Sequence, residues 1–213
     1  MATHIDDEED LEKLKTWWKE NWIALVGGLA IGFGGIGGWE GYKRWRDAKA
    51  EDASQMYEDM RKSVDADRLD DAAEVADALA AKHASSPYAA AAALVLAQRA
   101  VRDDRLDQAA ERLAWVAEHS GDEPLAGIAR LRHARVLLAS GKHDAALQVL
   151  DAVGDVYAGL REELRGDIHL ARGDAASARS AYEKALAATD PSGAGRSLLQ
   201  QKFENLTVAS SAS

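Results

Sequence analysis

Three kinds of residue in this 213-residue chain could carry chemistry: six histidines, a glycine run and adjacent acids. The histidines are His4, His83, His119, His133, His143 and His169. Zinc hydrolysis needs two histidines one helical turn apart with a glutamate between them, because the ligands must converge on one ion. No such pair occurs, and His133 and His169 read as buried, hydrogen-bonded core residues. Gly32-Phe33-Gly34-Gly35-Ile36-Gly37 fits G-x-G-x-x-G. A dinucleotide loop also needs a strand before it and a helix opening from it. Here the motif lies inside an uncharged run with no βαβ unit around it. Glu162-Glu163 reads as a solvated pair. GxSxG and P-loop motifs are missing, and the chain has no cysteine, which excludes disulfides, thiolate metal sites and cysteine nucleophiles. The expectation is a non-enzyme, with no catalytic residue, metal or cofactor.

With 36 acids against 26 lysines and arginines, the net charge is −10. Phosphate backbones need clustered cations, so nucleic acid is not an expected partner. Abundant alanine with few β-branched residues points to an all-α fold.

Trp22 to Trp39 is a stretch of eighteen residues without a charge. As a helix it would be about 27 Å long, near the ~30 Å of a hydrocarbon core. Trp17, Trp18 and Trp22 crowd one end and Trp39, Tyr42 and Trp45 the other, where amphipathic rings would meet headgroups. The expectation is one N-terminal transmembrane helix over residues 22–42. A cleaved signal peptide is the weaker alternative, because the residues before the run are acidic rather than basic. Seven glycines make the span a weak one, with insertion favoured by only about 3 kcal/mol. Gly28/Gly32 and Gly34/Gly38 have the spacing that lets a second helix approach closely, a candidate membrane helix-packing face. Residues 1–21 are expected to be an arm: a disordered acid run, His4 to Asp10, then an amphipathic lead-in with Leu11, Leu14, Trp17 and Trp18 on one face. Lysines and arginines are nearly balanced across the span and leave its orientation open.

The remainder is repetitive. Asp67-Arg68-Leu69-Asp70-Asp71-Ala72-Ala73-Glu74 recurs 37 residues on as Asp104-Arg105-Leu106-Asp107-Gln108-Ala109-Ala110-Glu111, with seven of eight residues matching. Gly141-Lys142-His143-Asp144-Ala145-Ala146 follows after another 37, and Gly173-Asp174-Ala175-Ala176 after a further 32. A period near 34 marks tetratricopeptide helix hairpins. Small residues fall where paired helices cross: Ala97, Ala134 and Gly166 before the turns, Ala109, Ala146 and Ala178 after them. The three prolines, Pro87, Pro124 and Pro191, all sit at expected helix boundaries. Residues 43–206 are therefore expected to form an α-solenoid of about four hairpins plus a C-terminal capping helix near 195–206 that covers the last apolar face. Residues 207–213 are expected to be a flexible tail.

Stacked hairpins line a concave face with their first helices. Leu94, Gln98 and Arg102 would come from one repeat, Ile128, Leu131, Arg135 and Leu138 from the next, and Leu160, Glu163, Asp167 and Leu170 from the last. Such a mixture of apolar and charged groups suits an extended or helical peptide.

The order of motifs resembles a known family over nearly the whole chain. The acidic start, Trp17-Trp18-Lys19-Glu20-Asn21 and the glycine-rich run ending Gly38-Trp39 come first. Leu131-Arg132-His133-Ala134-Arg135-Val136, Leu164-Arg165-Gly166-Asp167, Ala178-Arg179-Ser180-Ala181-Tyr182 and Lys202-Phe203-Glu204-Asn205-Leu206 follow. These are similar to the ancillary SecYEG translocon subunits of Gram-negative bacteria (YfgM-like proteins). The resemblance implies a single-pass protein of the bacterial inner membrane, with a cytoplasmic N-terminus and a periplasmic repeat domain. It implies partners in the SecYEG translocon, a membrane-anchored isomerase-like chaperone (PpiD-like) and exported polypeptides. The function so implied is help in folding or handing over newly exported proteins. It also implies a degenerate first repeat, with Met60 where a small residue is expected. Two alternatives stay open at this point: an envelope scaffold for another membrane complex, in division or outer-membrane assembly, and a cytoplasmic-facing regulator.

Overall fold

A computed structural model describes the backbone of residues 4–190, 192–193 and 195–211. It also describes their side chains, apart from those of 4–10, 30, 31, 34 and 207–211. The described residues are helical, with no strand among them. The helices are α1 (His4–Asp65), α2 (Leu69–His83), α3 (Pro87–Arg102), α4 (Leu106–His119), α5 (Glu123–Ala139), α6 (His143–Asp151), α7 (Ala158–Ala171), α8 (Ala175–Ala188) and α9 (Arg196–Ser211). A 3-10 turn, Asp155–Tyr157, precedes α7. The chain divides into two compact units, Met1–Glu51 and Asp52–Ser213.

The first unit departs from expectation twice. The acid run is helical, since α1 begins at His4. Acids in the first turns of a helix meet its positive dipole end, which favours order over the expected disorder. Secondly, no helix among the described residues is long and apolar enough to cross a membrane. That finding overturns the transmembrane helix expected over 22–42. The single-pass inner-membrane placement, with its periplasmic repeat domain, falls with it. The physical reason is glycine: seven of the eighteen residues contribute no apolar side chain, and charged Lys19, Glu20, Glu40 and Lys43 bracket the stretch. Trp22, Ile23, Val26, Leu29, Phe33, Ile36 and Trp39 are exposed. A Cβ on Gly28, Gly32 or Gly38 would meet nothing within 4 Å, and the Gly34 side lies outside the described residues.

The second unit is the helical repeat. Neighbouring helices pack in chain order, from α2 against α3 to α8 against α9. Four hairpin turns share one device. Asp67, Asp104, Gly141 and Gly173 all take positive φ, of 59°, 56°, 73° and 79°. Each turn carries the same two bonds: Arg68 N–H to the Ser63 carbonyl, Arg105 to Ala100, Lys142 to Leu137 and Asp174 to His169, with the preceding N–H closing a shorter loop. This is the left-handed helix stop that satisfies otherwise orphaned carbonyls. The three-proline expectation holds at Pro87 and Pro124, where Ser86 and Asp122 side chains accept from Tyr88 and Leu125 N–H. Pro191 lies outside the described residues.

Ala97, Ala109, Ala134, Ala146, Gly166 and Ala178 are all buried, as the crossing argument requires. The tightest crossing is at Gly166, where a Cβ would overlap the ring of Tyr182. The first hairpin instead uses Met60, fully buried with Ala53, Ala72 and Leu79. Lys142 to Asp107 at 2.6 Å, Arg172 to Asp144 at 2.8 Å, Arg99 to Asp67 at 2.6 Å and the Arg112–Asp77 pair each link one repeat to the one before. Their acids are exposed, so each contributes ~0–1 kcal/mol, mostly to register. α9 runs to Ser211, past the expected end at 206, so the tail expected over 207–213 is helical to that point.

Candidate functional site

The array has a groove of about 650 Å³ between α3 and α5, with α4 as its floor. Leu94, Val95, Ala97, Gln98, Val101 and Arg102 come from α3; Leu106 and Leu113 from α4; Arg132, Arg135, Val136 and Ala139 from α5. The helical period explains the grouping: residues three or four apart share a face. The α3 positions Leu94, Gln98, Val101 and Arg102 form one stripe, and Arg132 and Arg135 project together from α5. Leu113 and Val136 are buried, Leu106 is half-buried and Val101 is 45% exposed, so the floor is apolar and open to solvent. The rim is cationic: Arg102, Arg132 and Arg135 are exposed, with no ion-pair partner among the described residues. Not one carboxylate lines the groove.

Of the eleven residues expected on a concave face, four line this groove: Leu94, Gln98, Arg102 and Arg135. Leu131 is buried in the core, and Ile128 and Leu138 are half-buried. Leu160 and Leu170 are exposed but lie elsewhere. The face is interrupted because the segment between α6 and α7 drapes onto α5. Tyr157 packs where a Cβ of Gly127 would stand, and its hydroxyl donates to the Pro124 carbonyl at 3.0 Å.

Glu163 and Asp167 are consumed inside the fold. Lys202 of α9 donates to Glu163 Oε1 and to both Asp167 oxygens, each at 2.8 Å. Tyr182 donates its hydroxyl to Asp167 Oδ1 at 2.7 Å. Burial, reinforced by that hydrogen bond to a carboxylate, pushes the Tyr182 phenol well above its ordinary value. Burial alone would lower the Lys202 ammonium; its hydrogen bonds to Asp167 and Glu163 outweigh this and raise it. Glu162 is also not solvated, being held by Arg161 at 3.2 Å and Arg165 at 3.5 Å.

The histidines scatter, and among the described residues no three His, Asp or Glu side chains are grouped to hold a metal ion. His133 and His169 are half-buried rather than core residues. Burial lowers the His133 pKa, with Glu118 opposing weakly. The buried histidine is His83, whose Nε2 lies 2.7 Å from Asp52 Oδ2 and ties α2 to the C-terminal part of α1. Its position in the last turn of α2 was readable as a sequence signal; the partner 31 residues earlier was not. Sequence reasoning also missed Val101, Leu106, Leu113 and Arg132, because it assigned the face to first helices alone and counted fewer positions on each.

Comparisons with known proteins extend this picture across the chain. The family model of the tetratricopeptide repeat-like domain matches residues 15–208. An ancillary SecYEG translocon subunit of Escherichia coli (strain K12) is 32% identical over 209 residues, covering 98% of this chain and 100% of that protein. Its namesake in Haemophilus influenzae is 31% identical over 186 residues, covering 87% and 91%. That of Aggregatibacter actinomycetemcomitans is 30% identical over 208 residues, covering 97% and 100%. No solved structure matches significantly. The helix-hairpin array, the matching family model and end-to-end similarity to these relatives lead to one conclusion: the chain belongs to the ancillary SecYEG translocon subunit family, built on a tetratricopeptide repeat-like domain.

Proposed function

We propose that this protein is a non-catalytic interaction subunit of the SecYEG translocon that holds segments of partner polypeptides in the α3–α5 groove. The partners in this reading are translocon subunits, an isomerase-like chaperone (PpiD-like) and newly exported chains, with the groove assisting folding or hand-over between them. The observation that carries it is the groove itself: an apolar floor open to solvent, rimmed by unpaired arginines. Apolar centres with arginine at the rim are what transient protein interfaces are made of. Similarity along nearly the whole length of translocon subunits supplies the setting.

The test places a photo-crosslinking amino acid at Val101 or Arg135, and at the exposed Glu111 as control, in cells making the full chain. Crosslinks from the groove positions to translocon subunits, the chaperone or exported chains, exceeding those from the control, are expected. A chain that folds and crosslinks no such protein from either groove position would sink the reading.

A further inference from the structure

The charge of the groove runs against the charge of the molecule. Acids outnumber lysines and arginines by 36 to 26. Many arginines of the repeat unit are matched by acids of the fold: Arg99 to Asp67 and Asp103, Arg130 to Glu123, Arg161 to Asp155, Arg165 to Asp151 and Arg172 to Asp144. Arg102, Arg132 and Arg135 have no such partner among the described residues, and all three line one groove without a carboxylate among its walls. Three cations stand around an apolar floor, and no carboxylate of the described chain lines that groove. A guanidinium is a planar fork that fits a carboxylate by two parallel hydrogen bonds. Arg132 and Arg135, three apart on α5, lie side by side, while Arg102 faces them from the end of α3.

We propose that the groove selects polypeptide segments in which apolar side chains alternate with aspartate or glutamate. The proposal rests on the reading of the groove as a polypeptide site and names the class of segment. Apolar side chains of the segment fill the space over Leu94, Val101, Leu106 and Leu113; its carboxylates reach the three arginines. A volume near 650 Å³ accommodates a few such side chains, within the usual range of binding clefts. A nucleic acid would present anions too. Its dense charge, however, is repelled by the net −10 of the chain, whereas a short segment with two or three carboxylates is not. Complementary charge of this kind also speeds encounter and rejects segments of the wrong sign.

The test uses the purified full chain and three fluorescent, end-capped peptides of the same length. All alternate leucine and valine with one varied residue: glutamate, glutamine or lysine. Anisotropy titrations are expected to give the glutamate peptide at least roughly tenfold tighter binding than the glutamine peptide, with the lysine peptide weakest. Replacing all three arginines, Arg102→Gln, Arg132→Gln and Arg135→Gln, should erase the preference without loss of helicity, since all are exposed. Raising salt to about 0.5 M, where the Debye length falls to about 4 Å, should shrink it as well. Equal binding of the glutamate and glutamine peptides, both abolished by Val101→Asp, would overturn the charge selection and leave the polypeptide groove standing. Absence of binding by every peptide, or binding indifferent to Val101→Asp and to the arginine triple variant, would overturn the groove reading as well. Displacement of the glutamate peptide by an equal concentration of oligothymidylate would assign the arginines to phosphate and overturn the proposal.

Discussion

The α3–α5 groove and the end of the array, where α9 closes over α7 and α8, begin from the same hairpin and finish in opposite states. Both place polar residues on a first helix: Gln98, Arg102 and Arg135, exposed, in the groove, and Glu163 and Asp167, half-buried, at the end. At the end, one lysine from α9 satisfies both acids, and Tyr182 adds a third link. In the groove, no neighbouring helix brings a carboxylate to Arg102, Arg132 or Arg135. A repeat face thus becomes core or binding surface according to whether the chain supplies the complementary charge. The position of a residue in its hairpin does not decide it.

The contrast is broken most strongly through Tyr182. Its ring is fully buried among Ala178, Ala185 and Leu199. Tyr182→Ala should cost about 3–5 kcal/mol in urea unfolding, the range for deleting a core aromatic. Val101→Ala, at an open position of the groove, should change stability by no more than about 0.5 kcal/mol. Comparable losses in the two variants would show that the groove is as much a part of the core as the closed end.

Charge gives the next step. Lys202→Met leaves Glu163 and Asp167 without their cation, in a site where all three side chains are less than a third exposed. A loss of about 1–3 kcal/mol is expected, because a half-buried acid loses its partner. Arg135→Met removes a repulsive neighbour of Arg132 and Arg102 and should leave stability within about 0.5 kcal/mol of the parent. Denaturation midpoints of both variants check this, and a large loss for Arg135→Met would reveal an internal partner for that arginine.

How much of this was legible beforehand follows from the same physics. The repeat, its turns and its crossing alanines were readable because each depends on residues close in sequence: a left-handed stop at Asp104 or Gly141, a small residue at Ala134 or Gly166. Pro87 opens α3 and the recurring Asp-Arg-Leu-Asp segment leads into α4, in keeping with the proline and the period. Glu163 and Asp167 were misplaced because their partner, Lys202, lies 39 and 35 residues away on a helix whose packing has no local signature. The draping of Tyr157 onto Gly127 was invisible for the same reason. The membrane span misled differently. The run from Trp22 to Trp39 has the length and the aromatic edges of a span, but seven of its eighteen residues are glycines that add no apolar side chain.

Acid and alkali should act on different groups of the repeat unit. Burial lowers the pKa of His133 on α5, so the unfolded chain takes up this proton before the folded one. Its contribution is complete above the unfolded value of ~6.5 and is lost as pH falls through the folded value. Lys202 and Tyr182 are raised, so theirs is complete below about pH 10 and is lost as pH rises through their folded values. His133→Gln should flatten the profile just below pH ~6.5, above the range in which Asp103, Asp174 and Asp190, held below the usual carboxylate value by their hydrogen bonds, lose their contributions, and Tyr182→Phe should flatten the alkaline limb. A profile in which either substitution altered the opposite limb would break the assignment of these ranges to His133 and Tyr182.

The smallest expected effect lies in the turns. The hairpin of α3 and α4 stops on Asp104 at φ 56°, while that of α7 and α8 stops on Gly173 at φ 79°. Aspartate tolerates this conformation better than most residues, but it keeps a Cβ that glycine lacks. Asp104 also makes no side-chain hydrogen bond or ion pair among the described residues. Asp104→Gly should therefore stabilise the protein by about 0.5–1 kcal/mol, the relief of strain exceeding the added freedom of the unfolded chain. Gly173→Asp should destabilise by a similar amount, because a Cβ there meets no atom within 4 Å and only the backbone objects. Opposite signs in thermal unfolding would show one turn design serving both halves. Equal signs would mean that Asp104 contributes through its carboxylate by more than its backbone strain costs.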